Sequence, residues 1–434
     1  MINIRNIVKK IIPKSLFRRI EPLGHLVESV IMNIVFGFPS HKMHIIGVTG
    51  TNGKTTTTFL IHKMLHNAGI KVGMLSTVAY GIGDDIENQI EHMTTTKASI
   101  LQSRLRDFKR AGVEWVVLES SSHSLAQYRT WGIRYEIAVM TNVTNDHLDY
   151  HGTFSNYLGA KRRLFKIAAK FGRKFGVVNA DDPNAKLFLA TTPRSVSYGI
   201  KAGELKANSI KLFADHSVYT AKINDDKYDI RINIPGEFNV SNSLAAVAVG
   251  REVGLSKSQI EKGIASLDGV EGRMTVVNEG QKFKVIIDFA STPDAFEKLF
   301  ESVRPLVKGK LVAVFGSAGR RDEAKRAIQG EIAGRYCEEV VLTEEDDRDI
   351  DGSKILAQIA EGAKKAGKIL DKNMFLVLDR EKAIKFAFGR VKESEDAVVL
   401  LGKGHEKTIE RADGEHPWRE IDVAKKALIS LKSK

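Results

Sequence analysis

From Met43 onward, apolar runs alternate with amphipathic segments. His44–Thr49, Trp115–Glu119, Ile137–Thr141 and Gly176–Asn179 are short apolar runs, and a helical stretch through Leu65 follows the first of them. Strand-length runs separated by helix-length segments give the βαβ rhythm of a mostly parallel sheet covered on both faces by helices. Between about Arg194 and Pro235 the rhythm shortens to Ile210–Phe213, Val218–Ile223 and Tyr228–Ile234, which predicts antiparallel strands attached to that sheet. Gly236 then opens a helix. A boundary is expected near Gly269–Arg273, because Val285–Asp288, Leu311–Gly316, Val340–Thr343, Phe375–Leu378 and Ala397–Gly402 predict five strands of a second α/β unit.

The segment before Met43 behaves differently. Lys9, Lys10, Lys14, Arg18 and Arg19 lie among Ile, Val, Leu and Phe, and a more apolar stretch, Leu26 to Phe38, follows. Glu28 and Asn33 interrupt that stretch, which is too short to span a bilayer comfortably. No uninterrupted apolar core or small-residue cleavage site marks a secretory signal. Two readings stay open: a pair of helices packed on the body, or a basic amphipathic segment resting on an anionic membrane.

At 434 residues and 43% hydrophobic content, the chain can bury two or three cores. Its net charge of +13 suits an anionic partner such as a nucleotide or an acidic membrane surface. Nucleic acid is not expected as a partner, since no basic stripe interleaved with aromatics and no zinc-finger spacing occurs. The single cysteine, Cys337, excludes an internal disulfide framework and a multi-cysteine zinc site, and points to a reducing cytoplasm.

The sharpest chemical signal is Gly47-Val-Thr-Gly-Thr-Asn-Gly-Lys-Thr-Thr-Thr-Thr58, placed where the first strand should feed its helix. A glycine-rich turn there leaves backbone N–H groups aimed at one spot, ready to cradle phosphate oxygens. Lys54 would sit among the phosphates and Thr55 would offer a hydroxyl to Mg²⁺. The usual phosphate-loop pattern needs glycine at position 48, where Val48 stands, so the loop is a variant. Glu119 closes a second apolar run and is well placed at a strand end to coordinate Mg²⁺. A third run ends at Thr141-Asn142 and continues to Asn145-Asp-His-Leu-Asp-Tyr-His-Gly152, a concentration of ligand-capable groups. Ser120–Ser122 beside His123 invites a hydrolase reading, but the G-x-S-x-G elbow is absent.

These motifs carry a resemblance. Thr-Gly-Thr-Asn-Gly-Lys-Thr-Thr, Glu119-Ser-Ser-Ser-His123, the Asp-His-Leu-Asp-Tyr-His-Gly-Thr run, Tyr157-x-x-Ala-Lys161, Asn179-Ala-Asp-Asp182, Gly236-x-Phe-Asn-x-x-Asn242, Gly272-Arg-Met and Gly402-Lys-Gly-His-Glu406 occur in the order found in Mur ligases. The chain looks most like the MurE type, over about residues 44 to 410. The resemblance implies an α/β protein with a P-loop central parallel-sheet ATPase domain (43–270), a C-terminal Rossmann-like α/β domain (271–434) and a short basic helical N-terminal segment (1–42). It implies ATP and Mg²⁺ as cofactors. The activity would be amide-bond formation: ATP converts an acceptor carboxylate to an acyl phosphate, and the amine of a free amino acid attacks it. UDP-MurNAc-dipeptide or a similar anionic acceptor would be the partner, in the cytoplasm.

Carried over by position, the resemblance makes Gly50, Thr51, Asn52, Gly53, Lys54, Thr55 and Thr56 the phosphate site. Asn239 and Asn242 would lie on the adenine side, and Arg273 and Asp288 would reach the nucleotide from the second domain. Thr55 and Glu119 would hold one Mg²⁺ and His147 a second. Lys161 falls where the family carries a carbamylated lysine that acts as a carboxylate beside the metals. Thr94, Thr95, Thr96, Ser121, His123, Gln127 and Arg129 would contact the acceptor, and Arg348, Gly402 and Glu406 the incoming amino acid.

The pattern also breaks. A full-length MurE carries a UDP-binding N-terminal domain, against about forty residues here. The family's Asp-Tyr-Ala-His-Thr-Pro-Asp is Asp288-Phe-Ala-Ser-Thr-Pro-Asp294, and Asp-Asn-Pro-Arg of diaminopimelate-adding relatives is Glu345-Asp-Asp-Arg348. Asp346 and Asp347 could attract an ammonium group, so diaminopimelate and lysine both remain open. Folylpolyglutamate and cyanophycin ligases are the alternatives within the superfamily, and a non-catalytic nucleotide-binding scaffold is the alternative outside catalysis. The four-cysteine zinc insert of the Mur-like amidotransferase subunit is excluded by the cysteine count.

Overall fold

The computed structural model describes residues 14–432 except Ile90 and His92. Lys9 and Lys10, and the side chains of Lys14, Arg18 and Arg19, lie outside the described residues.

An eleven-stranded sheet forms the larger unit. Its strands are β1 (His44–Thr49), β2 (Val72–Leu75), β3 (Ala79–Ile82), β4 (Asp85–Asn88), β5 (Trp115–Glu119), β6 (Tyr135–Met140), β7 (Phe175–Asn179), β8 (Arg194–Gly199), β9 (Leu205–Leu212), β10 (Ser217–Ile223) and β11 (Asp226–Ile232). They lie in the order β11-β10-β9-β8-β7-β6-β1-β5-β2-β3-β4. The strands from β8 through β2 run parallel, which is why β1, β5 and β7 read as near-continuous apolar runs: helices cover both faces. At one end β9, β10 and β11 pair antiparallel, as the alternating pattern predicts. At the other end β2–β3–β4 also turn antiparallel, and the exposed β4 gives no apolar signal.

The second unit is a six-stranded sheet of β12 (Thr275–Val276), β13 (Lys284–Asp288), β14 (Leu311–Phe315), β15 (Glu339–Leu342), β16 (Met374–Leu376) and β17 (Ala397–Leu401). It is ordered β12-β13-β17-β14-β15-β16, parallel except for β12. A small hairpin, β18 (Thr408–Arg411) and β19 (Gly414–Pro417), follows.

The expected pair of helices before Met43 falls partly on residues 1–13, which lie outside the described residues. Among the described residues of this segment one helix, Lys14–Phe36, runs through Pro22, and a short 3₁₀ turn, Pro39–Lys42, leads into β1. Asn33 and Ser29 fix its rotation: both are fully buried, Ser29 Oγ donates to the Tyr128 carbonyl at 2.9 Å and Asn33 Nδ2 to the Trp131 carbonyl at 2.8 Å. Buried amide and hydroxyl groups demand such partners. Asn33, which interrupts the apolar run, therefore marks the inward face.

Candidate functional site

The carboxyl end of the parallel strands opens into a cleft of about 1440 Å³ between the two sheets, lined from both. On its floor, β1 ends in the glycine loop and the Lys54–Asn67 helix begins at Lys54. Two glycines there are dictated by close approach. A Cβ at Gly50 would stand 1.8 Å from Thr141 Oγ1, and one at Gly53, where φ is +80°, would stand 2.2 Å from Asn242 Oδ1. The loop is anchored by the segment after β6: Asn142 accepts from the Asn52 N–H at 2.9 Å, and Thr51 Oγ1 shares a hydrogen bond with the Tyr157 hydroxyl at 2.9 Å.

Lys54 Nζ curls over its own loop, donating to the carbonyls of Gly50 (3.1 Å) and Thr51 (2.8 Å). Burial lowers its pKa, while Glu119 and Asp146 oppose that shift. Glu119, at the end of β5 and 1% exposed, is a buried carboxyl group in the floor. Thr55 Oγ1 donates to both its oxygens at 3.1 Å, and Thr77 donates through N and Oγ1 at 2.9 Å. Thr77 was not singled out by the sequence: it follows the short β2, and nothing near it forms a motif. Arg273 reaches across from the second unit, its Nη2 donating to Thr55 Oγ1 at 3.3 Å. Asp288, at the end of β13, accepts from the N–H groups of Met274 and Ala290 at 2.8 Å, so it secures the turn that carries Arg273.

Behind the loop Lys161 is almost wholly buried, donates to the Gly50 carbonyl and lies 4.4 Å from the Tyr157 ring centroid. Burial, with Lys54 adding to it, holds its pKa well below the ordinary lysine value. His147 sits in the left-handed region (φ 54°) with its Nε2 3.3 Å from Asp146 Oδ2. Its ring meets that of His123 edge-on at 4.6 Å. Burial first, then neighbouring cations, depress the histidines: His123 to about 2, His147 to about 3 and His151 to about 4. Among the described residues no set of three or more His, Cys, Asp or Glu converges as a metal site. The protein-side donors, Glu119 with the Thr55 hydroxyl, are hard oxygens of the kind Mg²⁺ takes while keeping waters and phosphate oxygens as its remaining ligands.

The remaining expected residues divide. Asn242 lines the cleft, whereas Asn239 stands behind it, accepting from Asn242 Nδ2 at 3.0 Å while donating to the Pro235 carbonyl at 2.8 Å. Thr56 lines the loop. On the expected acceptor side Thr94 and Ser121 face the cleft, but Thr95, Thr96, His123, Gln127 and Arg129 do not line it. Arg129 is buried and donates to the carbonyls of Thr95 and Thr96 and to Gln127 Oε1, while Thr95 Oγ1 donates to the Glu119 carbonyl at 2.9 Å. These residues brace the wall from behind.

On the second unit, Arg348 lines the cleft with Nε donating to Glu410 at 2.6 Å. Asp346 is held by Lys403 Nζ (2.7 Å) and by the Glu410 N–H (2.9 Å), and Asp347 does not line the cleft. Glu406 shares Lys403, at 2.6 Å. Burial nevertheless pushes Glu406 up to about 7, because one fully buried ammonium serves two carboxylates. Gly402 (φ +99°) packs against Glu345, whose Oε2 would lie 2.4 Å from an added Cβ. Lys403 thus organises the cluster, and its place within the Gly-Lys-Gly-His-Glu run was the signal available for it.

Comparison with known proteins agrees with this arrangement. Residues 48–250 match the Mur ligase middle domain, and residues 272–404 the Mur ligase glutamate ligase domain. The UDP-N-acetylmuramyl-tripeptide synthetase of Roseiflexus sp. (strain RS-1) is 41% identical over 410 residues, covering 91% of this chain and 80% of that protein. The UDP-N-acetylmuramoyl-L-alanyl-D-glutamate–2,6-diaminopimelate ligase of Aquifex aeolicus is 38% identical over 395 residues, covering 91% and 79%. A solved structure of a ligase of the same description superposes with a TM-score of 0.62 at 30% identity, covering 90% of this chain and 79% of that one. Folylpolyglutamate synthase of Mycobacterium tuberculosis superposes at 0.72 over 94% and 95%, but at 16% identity, which is a likeness of fold alone. With both ligase domains matched in order, and with identity at this level sustained along nearly the whole chain, this protein belongs to the Mur ligase family and is of the MurE type.

Proposed function

We propose that the protein is an ATP-dependent ligase that joins a free amino acid, diaminopimelate or lysine, to UDP-MurNAc-L-Ala-D-Glu in peptidoglycan precursor synthesis. The observation that carries this reading is the meeting of Lys54, Thr55 and Glu119 on one unit with Arg273 from the other inside a single cleft. Residues 43–270 act as the ATP-binding domain and 271–434 as the domain that brings the amino acid. The cleft, large enough for a nucleotide and two further reactants, supports a three-substrate reaction.

The residues divide the work. Backbone N–H groups of the glycine loop hold the triphosphate, and Lys54 and Arg273 meet the negative charge that grows on the transferring phosphoryl group. Mg²⁺, held through Thr55 and Glu119, supplies further charge neutralisation when bound. Burial lowers the Lys161 pKa and so favours the neutral amine that carbamylation by CO₂ requires, and as a carbamate it would add an anionic, carboxylate-like group near His147. Thr94 and Ser121 position the acceptor. Arg348 and Glu406 orient the amino acid, its carboxylate toward the guanidinium and its ammonium toward the acid. A cytoplasmic setting follows from the need for ATP and a nucleotide-linked acceptor.

The test is phosphate release by purified protein supplied with ATP, Mg²⁺, UDP-MurNAc-L-Ala-D-Glu and one amino acid at a time, with the product mass measured. Turnover that requires one amino acid and yields the acceptor plus that residue is expected. Turnover indifferent to the amino acid, or none, would move the protein to the scaffold reading.

A further inference from the structure

The Lys14–Phe36 helix turns one face to the body of the protein and leaves the other uncovered. Ile20, Leu23, Val27, Ile31, Ile34 and Val35 are each 45–65% exposed, and the other exposed positions from residue 20 to residue 37 are glycines. Steps of three, four, four and three residues from Ile20 to Ile34 put these side chains on a single helical stripe. The stripe is not an accident of poor packing, since buried Ser29 and Asn33 lock the helix in this rotation. The same contacts bring Trp131, itself 38% exposed, to the edge of the helix. An uncovered apolar face of this length needs an occupant.

Charge decides which. The first twenty residues of the sequence carry Arg5, Lys9, Lys10, Lys14, Arg18 and Arg19 and no acidic residue. The neighbouring helix, Ala98–Arg110, ends with exposed Lys109 and Arg110, and Arg106 lies 4.9 Å over the Phe36 ring. Of the nearby acids, Asp107 accepts from Arg106 at 3.0 Å, Glu28 lies 3.5 Å from His25, and Glu21 on the helix itself also has a partner. An apolar stripe flanked by cations fits a surface that is apolar beneath and anionic above. A second copy of the chain would bring the same cations against it. No helix among the described residues is long and apolar enough to cross a membrane, so the helix would lie in the interface.

We infer that the outer face of the Lys14–Phe36 helix, with Trp131 beside it, is a peripheral docking surface for an anionic lipid bilayer. Apolar side chains enter the headgroup boundary while Lys109 and Arg110 meet lipid phosphates, and the net positive charge of the first twenty residues of the sequence adds electrostatic attraction. The helix rests against the 128–132 segment, so docking would place the back of the acceptor wall at the membrane.

Full-length protein sedimented with phosphatidylcholine vesicles and with vesicles of phosphatidylcholine plus phosphatidylglycerol tests this. Binding to the anionic vesicles is expected to exceed binding to the neutral ones about tenfold or more and to weaken with added salt. Val27→Glu with Ile31→Glu, both at exposed positions, should reduce it about tenfold or more while thermal melting and ligase turnover stay unchanged. In the unsubstituted protein, tryptophan emission should shift to the blue on anionic vesicles, and Trp131→Phe should remove that shift. Equal binding to both vesicle types, no binding, or a dimer in sedimentation that the double substitution abolishes without any vesicle binding would overturn the inference. These readouts are independent of the ligase reading.

Discussion

Asn52 Nδ2 donates to the Asp294 carboxylate at 2.8 Å, a bond between residues 242 positions apart that ties the phosphate loop to the first turn of the Pro293–Val303 helix. Asp294 also accepts from Lys298, one turn on, and Thr292 caps the same helix. The loop that grips the triphosphate is therefore tethered to the second unit by two side chains, Asn52 here and Arg273 at Thr55. Hydrogen bonds to charged groups contribute about 1.5–3 kcal/mol. Asp294→Ala should lower kcat/KM for ATP about tenfold with little change in thermal stability, and Asn52→Ala with Asp294→Ala should be no worse than the single changes. Additive losses in that double-mutant cycle would mean that the bond carries none of the effect.

Lys54→Ala should reduce turnover about a hundredfold or more while the circular dichroism spectrum and melting temperature hold, since it removes a preorganised cation from the phosphoryl path. An active variant would contradict the mechanism.

Lys161 offers a different kind of test. Its depressed pKa favours the neutral amine, the form that reacts with CO₂. Lys161→Ala should lose about a hundredfold or more in rate. Stripping bicarbonate from the buffer should reversibly slow the native protein, and ¹³C-bicarbonate should give a carbamate resonance absent from the variant. A native enzyme indifferent to bicarbonate and without that resonance would leave Lys161 as a plain lysine on the Gly50 carbonyl.

Gly53→Ala would drive a methyl group to 2.2 Å from Asn242 Oδ1 at a φ of +80°. The left-handed backbone alone costs about 1–2 kcal/mol. A lower melting temperature with loss of nucleotide binding by calorimetry is expected, whereas Gly69→Ala, also at positive φ but with no atom nearby, should lose stability and keep nucleotide binding.

The acid cluster sets a pH dependence. Glu406 releases its proton near 4.5 in an unfolded chain and is pushed up to about 7 in the fold. Between those values the folded state binds more protons than the unfolded one, so stability should fall as pH rises from about 4.5 to about 7 and level off above. The effect is on the order of 1 to 3 kcal/mol. Urea unfolding of the unliganded protein should show that decline, and Glu406→Gln should flatten it; an unchanged slope in the variant would assign it elsewhere.

Much of the architecture was legible because buried parallel strands write themselves as apolar runs bounded by helices. β1, β5, β7, β13 and β17 stand where those runs stand, and the alternation between Ile210 and Ile234 announced the antiparallel end of the sheet. The four-residue β2 and the exposed Asp85–Asn88 strand carry too little periodicity to be seen. Near the N-terminus, Asn33 read only as an interruption of an apolar run, whereas its hydrogen bond to the Trp131 carbonyl is what docks the Lys14–Phe36 helix on the body. Within the cleft, the residues fixed by backbone geometry, Gly50, Gly53, Lys54, Thr55 and Glu119, converge as their spacing suggests. Arg129 was less transparent. Its charge suggested an anionic ligand, yet its donors are turned to the carbonyls of Thr95 and Thr96, and no pattern in the chain distinguishes a guanidinium that meets a ligand from one that staples a loop.

The imidazoles of His147 and His151, set edge-on and tilted against that of His123, have a bearing on how this protein tolerates its surroundings. Residues that ordinarily gain charge near neutrality have their pKa values lowered here by burial to about 4 or below, and so stay uncharged across the neutral range. A drift of one pH unit around neutrality would leave that aromatic partition electrically silent, so that any change in the charge felt by arriving anions comes from other groups of the cleft, Glu406 among them.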